Sequence, residues 1–352
     1  GADGEGLSLF IGANVTRIPD NFFWQNDSVV SKLVSVEFEE GSVCEYIGDS
    51  AFNGCEYLSE LVLSESLKSI GDSAFLNCRS LTEVVLPDSL ESIGTWVFYG
   101  CTAMESITLP FIGQNADGTG YAFFGHLFGA SYATGVNGQA SRIPDSLRIV
   151  ILSDAVRAVP TNAFSGCAGI ESFTFGANVA SIGKGAFDGC TSVSDIFFNS
   201  VSMADLTSET SLGSVGAEGG IVLTVGAGVE RIPAYFFYVK TASSSKLQSV
   251  FFGQGSALEE IGEYAFYQCR TMSLFEMPEG VKEIGAQAFL SCSSLAEIEL
   301  PEGLEIIGQS AFERCAALTS IVIPETVTSL GAGAFSFCTA LTEIAFNALA
   351  CE

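Results

Sequence analysis

Any Ser-His-Asp or Cys-His constellation in this chain would have to use His126, because it is the only histidine among 352 residues. It lies three residues after Phe123, where the chain elsewhere repeats a cysteine three residues after a phenylalanine, so it reads as a buried or arm-packing side chain. A histidine-based metal site fails for want of a second imidazole. Asn115-x-Asp117-x-Thr119-Gly120 opens like a calcium loop, but its twelfth position is His126 and not a bidentate glutamate, which leaves a glycine-rich turn. The glycine-rich stretch from Gly216 to Gly228 lacks the Lys-Ser/Thr ending of a phosphate loop. Glu297 and Glu299 could in principle act as an acid/base pair, yet without a deep pocket they read as a solvated acidic strip. No catalytic residue, metal site or cofactor is expected, and the chain is not read as an enzyme.

The 11 cysteines carry the other potential chemistry. Nine recur in the same Phe-x-x-Cys setting, and no Cys-x-x-Cys occurs. Stacked one strand spacing apart, about 4.8 Å, such thiols point in parallel, which is poor geometry for a bridge. They read as small buried hydrophobes, with Cys55, Cys78, Cys101, Cys269, Cys292, Cys315 and Cys338 expected reduced and buried. Free thiols are unusual in an oxidising exterior, so burial or an oxygen-poor habitat would have to protect them in an exported protein. Cys44 and Cys351 stand outside the motif.

These positions are set by a 23-residue repeat: Ile70-Gly-Asp-Ser-Ala-Phe-Leu-Asn-Cys starts again at Ile93. Ala-Phe-x-x-Cys recurs at Phe52, Phe75, Phe164, Phe187, Phe266, Phe289, Phe312 and Phe335, and with Val97 in place of alanine at Phe98. Fixed-period self-similarity signals a solenoid, because one unit cannot bury its own apolar face and needs stacked neighbours. In Leu-x-x-Val/Ile-x-Leu, as at Leu81, Val84 and Leu86, the last two apolar residues alternate at the period of a strand. Pro87, Pro110, Pro278, Pro301 and Pro324 end that strand, since proline donates nothing to the next ladder. The expected result is one short strand per coil, stacked in parallel.

The full pattern, Leu-x-x-Ile-x-Leu-Pro-x-x-Leu-x-x-Ile-Gly-x-x-Ala-Phe-x-x-Cys, resembles the BspA-like (treponemal-type) leucine-rich repeat, and it does so over essentially the whole chain. The resemblance implies an α/β leucine-rich repeat solenoid, mostly short parallel strands with loops or short helical turns. It further implies a cell-surface or secreted protein that binds host matrix or plasma proteins, or another microbe's surface. It transfers no functional residue, because the motif consists of structural positions.

The expected architecture is a single right-handed, curved solenoid over 1–352 of about fourteen coils, roughly 65 Å along its axis. Expanded coils fall near 12–57 and 226–269, where Val15-Thr-Arg-Ile-Pro-Asp-Asn-Phe-Phe is echoed by Val229-Glu-Arg-Ile-Pro-Ala-Tyr-Phe-Phe, a larger duplication offset by 214 residues. Strand centres Ile107 and Val150 are 43 apart, so an insertion arm at about 111–146, or a pair of degenerate coils, lies between them, with Ala122-Phe123 as its degenerate Ala-Phe. A polar, serine-rich irregular turn is expected at 200–220. The chain ends at Ala350-Cys-Glu with no polar cap, from which the native protein is expected to continue; no signal peptide is visible at Gly1.

A net charge of −27, from 41 acidic against 14 basic residues, repels phosphate backbones and anionic membranes, which argues against nucleic acid. No apolar run reaches the roughly 18 residues of a membrane span, so no membrane insertion is expected. The composition says nothing of oligomeric state.

Partner binding is expected on the open face of the sheet. The residues flanking each strand's central apolar position point there, and among them Ile149, Ile151, Phe197 and Phe251 are costly to leave in water. Glu276, Glu297 and Glu299 on the same face would select a basic patch. Either this strip is a contact surface, or the arm or the 200–220 turn folds over it. The corresponding functions are recognition of a partner protein, or a passive structural spacer or display scaffold; the varied side chains along the open face favour recognition.

Overall fold

In the computed structural model the described residues are 6–24, 32–131, 136–213, 215–240 and 246–349. Cys351 lies outside them. The chain is a parallel-strand solenoid of about 13 turns and almost no helix, divided into two compact units: Gly1–Gly176 with Gly185–Cys190, and Ala177–Lys184 with Thr191–Glu352.

In the first unit, strands Leu7–Ile11, Leu33–Phe38 and Glu60–Val62 form one parallel sheet, and Glu83–Val85, Ser106–Leu109, Ile149–Leu152 and Ser172–Phe175 line up in another. In the second unit, Asp195–Phe198, Ile221–Val225, Leu247–Phe252 and Leu274–Phe275 line up, and Ser320–Ile323 pairs with Glu343–Phe346. Register follows the repeat, as in Ile107↔Val150↔Phe173 and Ile196↔Leu223↔Val250. Most coils also carry a second, two-residue strand ending at the apolar residue before the repeat glycine, such as Ser69–Ile70 beside Ser92–Ile93 and Glu283–Ile284 beside Ile306–Ile307. Two residues are too few for an alternation to register, so the sequence pattern shows one strand per coil where the fold has two.

Glycine follows that second strand because the turns stack backbone to backbone. A Cβ on Gly285 would stand 2.6 Å from the Glu263 nitrogen, closer than any side chain tolerates. Beyond it, Phe52, Phe75 and Phe98 stack face to face at 5.4 and 5.8 Å, and Phe266, Phe289, Phe312 and Phe335 do the same at 5.4, 5.1 and 5.4 Å. These ladders form the spine of each core.

The cysteines beside this spine are buried and free. They are not inert filler. Most repeat thiols donate to the phenylalanine carbonyl of the preceding coil: Cys78 to Phe52 at 3.4 Å, Cys101 to Phe75 at 3.2 Å, Cys292 to Phe266 at 3.2 Å and Cys338 to Phe312 at 3.1 Å. Each of these carbonyls also accepts the backbone N–H of the cysteine in its own coil, as Phe52 does from Cys55 at 3.2 Å and Phe266 from Cys269 at 3.1 Å, so the thiol fills its second acceptor position. Burial pushes the thiols of Cys101 and Cys190 up to about 12 and that of Cys78 well above its ordinary value, so the nucleophilic thiolate is absent at neutral pH. Cys44 is likewise buried, its thiol 3.5 Å from the Tyr46 carbonyl. Titration of the native protein with a thiol reagent should therefore leave the repeat cysteines unlabelled until denaturant is added; labelling of most of them in the native state would contradict this packing.

The 43-residue interval resolves into one rung of sheet and two rungs of turn. Ser106–Leu109 and Ile149–Leu152 are direct neighbours, while a 3-10 helix, Phe124–Phe128, adds a layer on the turn side. The Phe98 N–H donates to Leu127 and the Phe124 N–H to Ala163, and Phe124 sits 5.2 Å from Phe164. Leu127-Phe128 and Phe124, not Ala122-Phe123, thus continue the core, and His126 does not take the cysteine position. A second 3-10 helix, Val136–Ser141, is locked by Gln139, whose side chain accepts from the Gly125 N–H and donates to Ser165.

The segment 200–220 is a coil rather than an irregular turn. It buries Met203, Leu206, Leu212 and Val215, and its N–H groups at Leu206 and Leu212 donate to Ala234 and Phe236. The duplication extends to backbone detail: the register shift between Leu7 and Ser8 recurs between Ile221 and Val222, 214 residues later.

Candidate partner-binding face

Strand alternation sends every second side chain out of each sheet. In the first unit Ile149 and Ile151 project from one strand, flanked by Ser106 and Thr108 on one side and Ser172 and Thr174 on the other. Ile149 is 39% exposed, and Ile151 is half-buried. Val62 and Val85 on the same unit's open face are more than half exposed. In the second unit Phe197 and Phe251 stand on either side of Thr224 in one register row. Phe197 is 41% exposed, Phe251 half-buried. The described parts of the arm and of 200–220 build turn-side layers of their own units, and these side chains remain accessible.

Glu276, Glu297 and Glu299 are all exposed and lie together along a shallow groove of about 680 Å³ with Leu274, Glu302 and Val322. Strand Leu274–Phe275 is only two residues long, and the stretch around Glu297–Glu299 forms no strand, although its sequence has the full Leu-x-x-Ile-x-Leu pattern. In the first unit, likewise, strands Glu60–Val62 and Glu83–Val85 belong to separate sheets. Facing glutamates do not by themselves break a ladder here, since Glu260 and Glu283 are register partners in paired strands.

Among the described residues no group of three or more His, Cys, Asp or Glu side chains could hold a metal ion. In the loop at Asn115, Asp117 accepts from the Thr119 N–H at 2.9 Å and its hydroxyl at 2.7 Å, while Asn115 donates to Thr119, so the calcium-like residues satisfy one another. His126 is fully buried, with Nδ1 3.1 Å from the Phe123 carbonyl and its ring stacked on Tyr121. No helix among the described residues is long and apolar enough to cross a membrane.

A family profile described as "BspA type Leucine rich repeat region" matches residues 16–125, 143–213 and 259–350, in six copies. Among solved structures the chain is similar to a leucine-rich repeat protein from Bacteroides ovatus, with 24% identity over 96% of this chain and 78% of that one and a TM-score of 0.39. It is similar to a leucine rich cell surface protein from Faecalibacterium prausnitzii, with 24% identity over the same shares and a TM-score of 0.33. It is also similar to the pneumococcal vaccine antigen PcpA, at 19% identity over 99% and 80% with a TM-score of 0.37. No curated protein sequence matches the chain.

Proposed function

We propose, from the premise that this chain belongs to the BspA-type leucine-rich repeat family, that it is a cell-surface or secreted recognition protein whose open sheet face binds a partner protein. One observation carries the reading. At positions that the fold leaves free, the open face holds neither a monotonous polar lawn nor a buried seam, but accessible apolar side chains together with exposed glutamates. In the first unit contact centres on Ile149 and Ile151. In the second it centres on Phe197 and Phe251, with Glu276, Glu297 and Glu299 selecting a basic patch on the partner. Aromatic and aliphatic anchors dominate affinity once they lose water, and the surrounding charges steer encounter.

The test is capture of extracellular host proteins and mucins by the full chain, followed by kinetics of what is bound. Replacing Phe197 and Phe251 together by serine should weaken binding at least about tenfold, the scale of a lost hot spot, with little change in melting because neither ring belongs to the phenylalanine spine. Reversing Glu297 and Glu299 to lysine should slow association, more so at low salt where screening is weak. A double serine variant that binds every captured protein as the parent does would defeat the recognition reading and leave a spacer that only displays its neighbours.

A further inference from the structure

The second unit carries an aromatic surface away from the sheet. Tyr235 and Tyr238 lie on the turn that follows strand Arg231–Ile232, and Tyr264 and Tyr267 on the next turn, after Glu260–Ile261. Their half-buried rings form a two-by-two array. Tyr235 and Tyr264 are 4.8 Å apart, Tyr238 and Tyr267 also 4.8 Å, and the two cross pairs 5.2 and 5.6 Å.

The core does not call for these rings. One and two repeats later the same positions hold Gln287 and Ser310, and Leu290 and Glu313. The fold in fact disfavours two of them. Tyr235 and Tyr264 have φ of 57° and 56°, the left-handed conformation that the coils adopt at this point, where others place Asn21, Ser73, Asn162, Gln287 or Gly333 and one other places an aromatic, Trp96. A bulky side chain there is strained, because its Cβ crowds the following carbonyl. Strain kept where asparagine or glycine would relieve it points to a use for the side chain.

The electrostatic setting indicates what the array receives. The Tyr235 N–H donates to the Glu263 carbonyl at 3.0 Å, and burial, then the neighbouring Tyr264, Glu263 and Tyr238, raise the Tyr235 phenol. The whole chain carries −27. Negative potential at a ring array attracts a planar cation, and guanidinium suits it better than ammonium because it stacks and sheds water more readily. The chain shows that contact twice on itself: Arg17 lies over Tyr46 at 5.0 Å and Arg314 over Phe337 at 5.4 Å. We propose that Tyr235, Tyr238, Tyr264 and Tyr267 form a docking site for an arginine-bearing segment of a partner protein, distinct from the open sheet face.

A ten-residue peptide of alternating arginine and glycine, its lysine counterpart and a neutral hexasaccharide would be titrated against the full chain, with tyrosine fluorescence and calorimetry as readouts. The expected result is saturable binding of the arginine peptide, at least about fivefold tighter than the lysine peptide, and no binding of the sugar. Tyr235→Asn with Tyr264→Asn should weaken arginine-peptide binding about tenfold while the melting temperature holds or rises, since asparagine relieves the strain. Tyr267→Leu, which copies Leu290, should weaken it as well and serves if the first variant fails to fold. Equal binding by either folded variant, equal affinity for lysine and arginine peptides, absence of saturable peptide binding, or saturable binding of the sugar would each overturn the proposal.

Discussion

Phe289→Ala should destabilise the second unit by about 3–5 kcal/mol, the range for removing a fully buried aromatic ring. Phe289 is completely buried, stacked on Phe266 at 5.4 Å and on Phe312 at 5.1 Å, with Phe275 meeting it edge-on at 4.9 Å. A cavity there loosens the interfaces on both sides of one coil, and in a solenoid such nearest-neighbour interfaces supply the stability that single coils lack. Urea unfolding followed by circular dichroism should show the midpoint fall, with a broadened or split transition as the coils on either side uncouple. Phe337→Ala is the control: its ring is 66% exposed and rests on Arg314, so a change within about 0.5 kcal/mol is expected. Comparable losses in the two variants would mean that the spine has been assigned to the wrong ring.

The second large effect is set by pH. Burial holds His126 down at about 4, against the opposing pull of the Phe123 and Ile93 backbone, and its Nε2 has no hydrogen-bond partner among the described residues. Tyr121, Phe123 and backbone surround the ring, and no acidic or basic side chain among the described residues compensates a charge there. A group whose folded value lies below its ordinary 6.5 binds its proton more readily when unfolded. Its contribution to stability is therefore complete above 6.5 and lost as pH falls from there toward 4. One unit of difference is 1.36 kcal/mol, so the full loss is on the order of 3 kcal/mol. Unfolding free energy measured between pH 7 and 4.5 should decline more steeply in the parent than in His126→Gln, which carries no titrating group. Parallel profiles would show that His126 titrates normally and that the arm is open to water.

The repeat, its solenoid and its buried Phe and Cys ladders could be read from residue order, because a 23-residue period repeats the same burial demand in every coil and local spacing is sufficient to state it. The same logic exposed the 214-residue duplication, which extends to a shared register shift. What spacing could not convey were relations between coils. Only stacking shows that the cysteine thiol reaches the phenylalanine carbonyl 26 residues earlier, or that the Ser-Ile pairs make a second sheet. The 3-10 rung at Phe124–Phe128 and the coil at 200–220 escaped the pattern for a related reason: each buries its apolar residues against neighbouring turns without repeating the motif. Alternation alone indicates which side chains leave the sheet, while how far each is exposed, as with Phe197 at 41% against the half-buried Phe251, is set by the neighbouring coils. The groove shared by Glu276, Glu297 and Glu299, and the tyrosine array with rings 4.8 to 5.6 Å apart, depend on which side chains the coil stacking brings together, which is set by the fold and not by the period of any one strand.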